Sequence, residues 1–237
     1  MTDGSMHADY GRGRETSGCG SRAELVYRYR FRALAAVRNA PMLRGGRLLD
    51  LGAAEGRTLG EMMRISGPRD ALGVEISADL VEMAARLGFP VIQGDVQDLP
   101  AEVRARRFDV VTALAVLEHL PDPTACLRAA FEVLAPGGRL IASAPSPFWD
   151  KLAGASGIHK EQAHHVQEVD GAFFFRCAAE VGFVHIRTRP FMFVGTAFLP
   201  YLGLLPPVEL AQKFEAPFSR FPFTPFFINQ MFIADRA

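Results

Sequence analysis

Along the first 145 residues, short apolar runs alternate with amphipathic stretches. RLLDLG at 47–52, ALGVEI at 71–76, PVIQGD at 90–95, FDVVTAL at 108–114 and RLIASAP at 139–145 are near-continuous apolar segments, the pattern of strands buried on both faces. Between them the spacing predicts helices over 21–39, 55–65, 77–87 and from Asp122 to the APGG stop at 135–138, with Ser77 and Asp122 as N-caps and Gly88 as a terminator. Strands separated by single helices call for parallel pairing, because parallel neighbours need a crossover. The crossovers are right-handed, and the ligand crevice of such a sheet lies at the C-terminal ends of its strands. After residue 146 the alternation stops. A loop carrying His159, His164 and His165 precedes a helix over 170–181, then strands over 182–194 and 227–235, with a Pro-, Phe- and Leu-rich stretch between them. Residues 1–20 are polar and Gly-rich and read as a disordered arm. Residues 21–237 read as one domain.

Composition narrows this little. The chain has 237 residues, 49% hydrophobic and 22% charged, with 26 basic against 26 acidic side chains, so the net charge gives no reason to expect a nucleic-acid partner. Residues 1–47 are locally basic, with nine Arg against four acids, which a solvated helix face explains. Cys19, Cys126 and Cys177 are scattered and odd in number, as in a protein of a reducing, cytoplasmic compartment and unlike a disulfide scaffold or zinc site. No signal-peptide pattern opens the chain. Its longest apolar stretch, 191–205, is broken by Pro200 and is shorter than the roughly 20 residues of a spanning helix. Fourteen of the 19 Phe lie from Phe173 onward.

LLDLGAAEGRT, residues 48–58, carries the chemistry. An apolar strand ends in Asp50, and Gly52, Ala53, Ala54 and Gly56 follow before a helix begins. Small residues let a ligand approach bare backbone, and the helix start offers free N–H groups. A dinucleotide fingerprint would read G-x-G-x-x-G with its acid about 20 residues later. Here the spacing is G-x-A-x-G and the acid comes two residues before the first Gly, which suits a ligand ammonium better than a pyrophosphate. Glu75 ends the second strand, where a carboxylate can accept both ribose hydroxyls. Asp95 ends the third, where it can accept from an adenine amine. Ammonium, ribose and adenine together describe a ligand like S-adenosyl-L-methionine (SAM).

Those stretches, with GVEIS, GDVQDLP, FDVVTALAVLEHLPDP and VLAPGGRLIASAP, stand in an order that resembles the class I SAM-dependent methyltransferases, in particular the small-molecule type 11 branch. HHVQEVDGAFFFRCAAEVGF at 164–183 resembles the family's segment before its sixth strand. The resemblance implies a Rossmann-like α/β fold: a seven-stranded, mostly parallel sheet with helices on both faces and an antiparallel last strand. It implies SAM as cofactor, with S-adenosyl-L-homocysteine as product. It assigns Asp50, Gly52, Ala54 and Gly56 to the methionine half, Glu75 to the ribose, Ile76 to the apolar wall of the adenine, Asp95 and Val96 to the adenine edge, and Leu114 to a backbone contact with the methionine moiety. Ala54 departs from the family, which most often has Gly there.

Alignment of donor and acceptor and exclusion of water are the main tasks of a methyl transfer, and a base is needed only where the acceptor must lose a proton. His119, in LEHLPDP just beyond the fourth strand, is the candidate base; ordering of its loop is the plainer role. His165 is a second candidate, or a cap for the next helix. His159, Glu161 and His164 have no standard metal spacing, and no metal is expected. The Phe-rich stretch at 191–227 reads as an apolar lid for a lipid-like, quinone or polyketide-like acceptor, or as a packed subdomain or homodimer contact; peripheral membrane contact fits the same composition. The function expected is O-methylation of an apolar small molecule. The alternatives are a SAM-binding scaffold or partner subunit without turnover, and, less in keeping with Asp50, an NAD-linked reductase.

Overall fold

The computed structural model describes residues 22–156, 166–220 and 222–237. The chain opens with helix α1 (Arg22–Asn39), and then strand and helix alternate: β1 (Arg47–Leu51), α2 (Arg57–Ser66), β2 (Asp70–Glu75), α3 (Ala78–Arg86), β3 (Val91–Gln93), the short α4 (Ala101–Arg104), β4 (Phe108–Leu114), α5 (Pro123–Val133) and β5 (Leu134–Pro145). The remainder is α6 (Pro147–Ser156), α7 (Gly171–Val181), β6 (Val184–Phe193), α8 (Val194–Phe198), α9 (Val208–Glu215) and β7 (Phe227–Asp235). The expected disordered arm at 1–20 lies outside the described residues.

The strands form one seven-stranded sheet in the order β3-β2-β1-β4-β5-β7-β6. β3 through β5 pair in parallel, and β7 runs antiparallel to both β5 and β6. The order reverses between β1 and β4, so the switch point of the sheet lies where Asp50 pairs in register with Thr112. Two apolar cores cover the sheet, one on each face. On β7, Phe232 and Ala234 enter one core while Met231 and Ile233 enter the other, the period-2 alternation of a strand buried on both sides. Phe174 of α7 stacks on Phe232 at 4.7 Å between ring centroids. On the other face α1 is enclosed, with Tyr27, Phe31 and Leu34 in the core. α9 closes over it: Gln212 donates its Nε2 to the Phe31 carbonyl at 2.9 Å, and Arg38 donates to Gln212 Oε1 at 2.6 Å.

Caps fall where residue chemistry places them. Asp122 accepts from Ala125 N at 3.1 Å and Asp170 from Phe173 N at 2.7 Å, each satisfying a helix-start donor. Two expectations need correction. APGG does not follow the helix as a stop: α5 ends at Val133 and these residues belong to an irregular opening of β5, in which Leu134 pairs with Phe108 before the register shifts. The expected loop after residue 146 contains α6, anchored where Trp149 Nε1 donates to the Pro225 carbonyl at 2.7 Å.

Candidate functional site

The strand ends bring the predicted carboxylates together. Asp50 is 3% exposed and accepts a hydrogen bond from Thr112 Oγ1 at 2.6 Å. Burial pushes its pKa up to about 7, a rise that the Thr112 hydroxyl and the charge of Arg32 partly oppose and that the nearby charge of Glu75 reinforces. Glu75 is 8% exposed. Its Oε2 accepts from Ala54 N at 2.9 Å and its Oε1 from Ser77 N at 3.0 Å, so one carboxylate ties the loop after β1 to the start of α3. Gly94 N donates to the Glu75 carbonyl at 2.9 Å, which sets Asp95 at the same edge; Asp95 Oδ1 accepts from Gln97 N at 2.8 Å.

The loop from β1 to α2 is left-handed at three positions, Gly52 (φ 68), Ala54 (φ 48) and Gly56 (φ 79). Gly52 and Ala53 donate to the Val74 carbonyl, which pins the turn to β2. On the side that a Cβ would occupy, both glycines meet the protein itself. A Cβ on Gly52 would lie 2.5 Å from Val116 Cγ2, and one on Gly56 2.6 Å from Phe89 Cβ. Close packing of the chain on itself therefore demands glycine at both. Ala54 carries a side chain in a region that disfavours it, as does Ala115 (φ 58), just past β4. Strain of this kind gathers where the surrounding structure fixes an unusual shape.

Ile76 is 38% exposed at the end of β2, Val96 is buried in the core beneath Asp95, and Leu114 is the buried last residue of β4. His119 closes a short 3-10 turn (Leu117–His119) and is half-buried; its N–H donates to the Val116 carbonyl at 3.0 Å. The carbonyl of its neighbour, Glu118, accepts from Val166 N at 2.9 Å. His165, and the set His159, Glu161 and His164, lie outside the described residues; among the described ones no group of three His, Cys, Asp or Glu could hold a metal ion.

Two residues that the sequence reading missed come from α1. Tyr29 is buried and donates its hydroxyl to Glu55 Oε1 at 2.7 Å, reaching the loop between Ala54 and Gly56. Arg32, one turn on, is the cation whose charge acts on Asp50. In sequence both belong to a basic helix face. A signal toward a buried role is the mostly apolar second half of that helix, FRALAAV at 31–37, which calls for cover on more than one side.

A methyltransferase domain family model matches residues 26–188, more than half of the chain. The chain belongs to this family. Among curated relatives, the ubiquinone biosynthesis O-methyltransferase of Xanthomonas oryzae pv. oryzae is 34% identical over 139 residues, 53% of this chain and 57% of that protein. The chain thus spans little more than half the length of the curated relatives it matches. In structure, the methyltransferase domain is similar to a SAM-dependent methyltransferase of Thermotoga maritima at a TM-score of 0.70 and 19% identity, covering 98% of this chain and 100% of that one. It is also similar to phosphoethanolamine N-methyltransferase 2 of Haemonchus contortus, solved in complex with S-adenosyl-L-methionine, at a TM-score of 0.60 and 15% identity, covering 96% of this chain and 60% of that one. The shared feature is the fold.

Proposed function

We propose that this methyltransferase domain binds SAM at the β1–β3 strand ends and transfers its methyl group to an oxygen of an apolar small-molecule acceptor. The observation that carries the reading is the pairing of two buried carboxylates, Asp50 and Glu75, around a left-handed loop at the switch point. The residues fit the cofactor. A buried carboxylate with a single hydroxyl donor and a pKa near 7 is completed by an ammonium group. Each Glu75 oxygen takes one backbone N–H; a carboxylate has about four lone-pair sites, so both oxygens can still accept a ribose hydroxyl. Ile76 offers an exposed apolar surface for the purine and Asp95 an acceptor for its amine. Arg32 and the N–H groups of the first turn of α2 are suited to the cofactor's carboxylate.

When bound, SAM supplies an electrophilic methyl on a positively charged sulfur. The protein's own contribution is to orient that group and exclude water, which can supply about 7–11 kcal/mol of rate enhancement. Tyr29 and α1, clasped by α9, lie over the loop and serve that exclusion. Where the acceptor is a hydroxyl, a neutral imidazole of His119 takes its proton on a ring nitrogen. His165 is the second residue we assign to the acceptor side. The curated O-methyltransferase relatives and the apolar segment between β6 and β7 support an apolar acceptor. No helix among the described residues is long and apolar enough to cross a membrane.

Isothermal calorimetry with SAM tests the site. Asp50→Ala and Glu75→Ala should each weaken binding by about a hundredfold, the scale of losing a charged hydrogen-bond partner. Unchanged affinity in both variants refutes it. Incubation with methyl-labelled SAM and a cell extract then identifies the acceptor, and His119→Ala should remove the fall in activity on the acidic limb of the pH profile if the imidazole is the base.

A further inference from the structure

Solvent-facing apolar side chains are concentrated in one place. Of the sixteen large hydrophobics that stand exposed among the described residues, nine lie between Phe193 and Phe227. They do not form a flat face. Tyr201 through Leu205 are five consecutive exposed residues, with Leu202 73% and Leu204 55% exposed and Gly203 turning the chain at φ 74; Tyr201, where this tip begins, is tied to α1 by Arg28, which donates to its hydroxyl and lies over its ring. Leu210 and Phe214 stand one turn apart on the outer side of α9, exposed at 59% and 56%. Phe214 joins Phe218, Phe193 and Phe227 in a chain of ring contacts 5.4–5.5 Å apart that runs back into the core. The outward apolar groups are thus mounted on a rigid base.

The exposed charge on this segment is mixed and sums to +1. Its exposed ionic side chains are Lys213, Arg220 and Glu209, two cations to one acid. Glu215 faces inward and is 4% exposed. Protruding Leu and Phe beside Lys and Arg is the composition of surfaces that settle at the headgroup–acyl boundary of an anionic bilayer.

We propose that the segment between β6 and β7 docks the protein on an anionic lipid bilayer, with the 201–205 tip and the outer side of α9 entering the interface and Lys213 and Arg220 meeting lipid phosphates. A second copy of the chain suits the segment less well. A two-fold interface sets a surface against itself and so brings together the net positive charge of the two copies, whereas an anionic bilayer neutralises it. The docking stands apart from the assignment of methyl transfer, and the two can fail separately.

Vesicle flotation of the full chain tests it, with vesicles of phosphatidylcholine alone and of phosphatidylcholine mixed with phosphatidylglycerol. The protein should float with the mixed vesicles, less so at high salt. Leu202→Asp with Leu204→Asp should reduce partitioning by about tenfold or more. Lys213→Glu with Arg220→Glu should remove the preference for anionic vesicles and leave weak binding to neutral ones. All four positions are exposed, so both variants should keep the wild-type melting temperature and SAM affinity. Failure of the wild type to float with any vesicle overturns the proposal. So does a dimer, seen by sedimentation, that the leucine variant splits, since the tip would then be covered by a second copy. Loss of SAM binding with flotation intact would count against the cofactor site and leave the docking standing.

Discussion

Asp50 and Glu215 are both buried carboxylates at the C-terminal edge of the sheet, and they are held in different ways. Asp50, on β1, has one donor among the described residues, the Thr112 hydroxyl. Glu215, at the end of α9, has three: Met192 N at 3.1 Å, Phe193 N at 2.7 Å and the Thr196 hydroxyl. Burial raises the pKa of each, and at Glu215 those three hydrogen bonds pull against it. A carboxylate saturated by its own chain is a clamp, here fastening α9 to the junction of β6 and α8. One left with a single neutral donor has capacity for something that is not protein. By this criterion the two acids differ in spare capacity: Asp50 keeps lone pairs that no described donor fills, as the proposed SAM site requires, and Glu215 holds the β6–β7 segment to itself.

Removing each acid sharpens that contrast, and the largest effect is expected at Glu215. Glu215→Ala strands two backbone N–H groups, those of Met192 and Phe193, at about 1–3 kcal/mol for each unsatisfied group, while the Thr196 hydroxyl keeps the Phe193 carbonyl as its acceptor at 2.9 Å. Chemical denaturation should show a loss of about 3 kcal/mol or more, with α1 loosened because α9 covers it. Asp50→Asn strands nothing comparable and deletes a buried charge. At pH 8 it should leave stability unchanged or raised, while SAM binding falls steeply. If Asp50→Asn instead unfolds the protein and Glu215→Ala is silent, the roles are reversed.

The sheet was readable in the sequence because each strand carries its own evidence. FDVVTAL and FINQMFIAD correspond to β4 and β7 residue for residue, since apolar runs bounded by turn residues have few other uses. The three acids were readable because each ends such a run. Less visible was whatever depends on contacts between distant segments. PFWDKLAGAS has neither clean periodicity nor an isolated cap, and its helix is fixed by Trp149 reaching Pro225. α8 and α9 are five and eight residues long and lie between prolines at 190, 200, 206, 207 and 217, too short for a period to show. Tyr29 and Arg32 look like one face of a basic helix until α1 is laid across the loop at Glu55. At Gly52 and Gly56 one reason for glycine was hidden from the sequence, because Val116 and Phe89, the side chains that a Cβ would strike, are far away in the chain.

A pH titration tests the Asp50 side of the comparison with a smaller effect. Its folded pKa, about 7, stands above the ordinary carboxylate value of 3.8. Between these the unfolded chain has released a proton that the folded chain keeps, so this group's contribution to stability is whole below about pH 4 and is lost as the pH rises toward 7. A cationic ligand prefers the ionised form, so binding reverses the trend. SAM affinity should rise with pH by up to about tenfold per unit below 7 and level off above it, measured calorimetrically across that range. In Asp50→Asn the slope should vanish. A flat wild-type profile means that the carboxylate does not meet the ligand's charge.

The smallest expected change runs in the opposite direction. Ala54 sits at φ 48 between two glycines, where a methyl side chain costs about 1–2 kcal/mol. Ala54→Gly relieves that strain and gives back about 0.4–1 kcal/mol through the greater freedom of the unfolded chain, for a net gain of about 0.5–1 kcal/mol in denaturant unfolding. The Ala54 N–H that Glu75 accepts is kept, so SAM affinity should change by less than about threefold, well under 1 kcal/mol. Ala115→Gly is the matched control, since Ala115 is left-handed at φ 58 just beyond β4 and its N–H donates to the Ser143 carbonyl instead. Equal stabilisation by both, with affinity unmoved, places the cost of the left-handed alanines in the backbone alone. A large gain in affinity from Ala54→Gly and none from Ala115→Gly would mean that the methyl group of Ala54 narrows the cofactor's seat, and that this chain holds SAM less tightly than a glycine at residue 54 would allow.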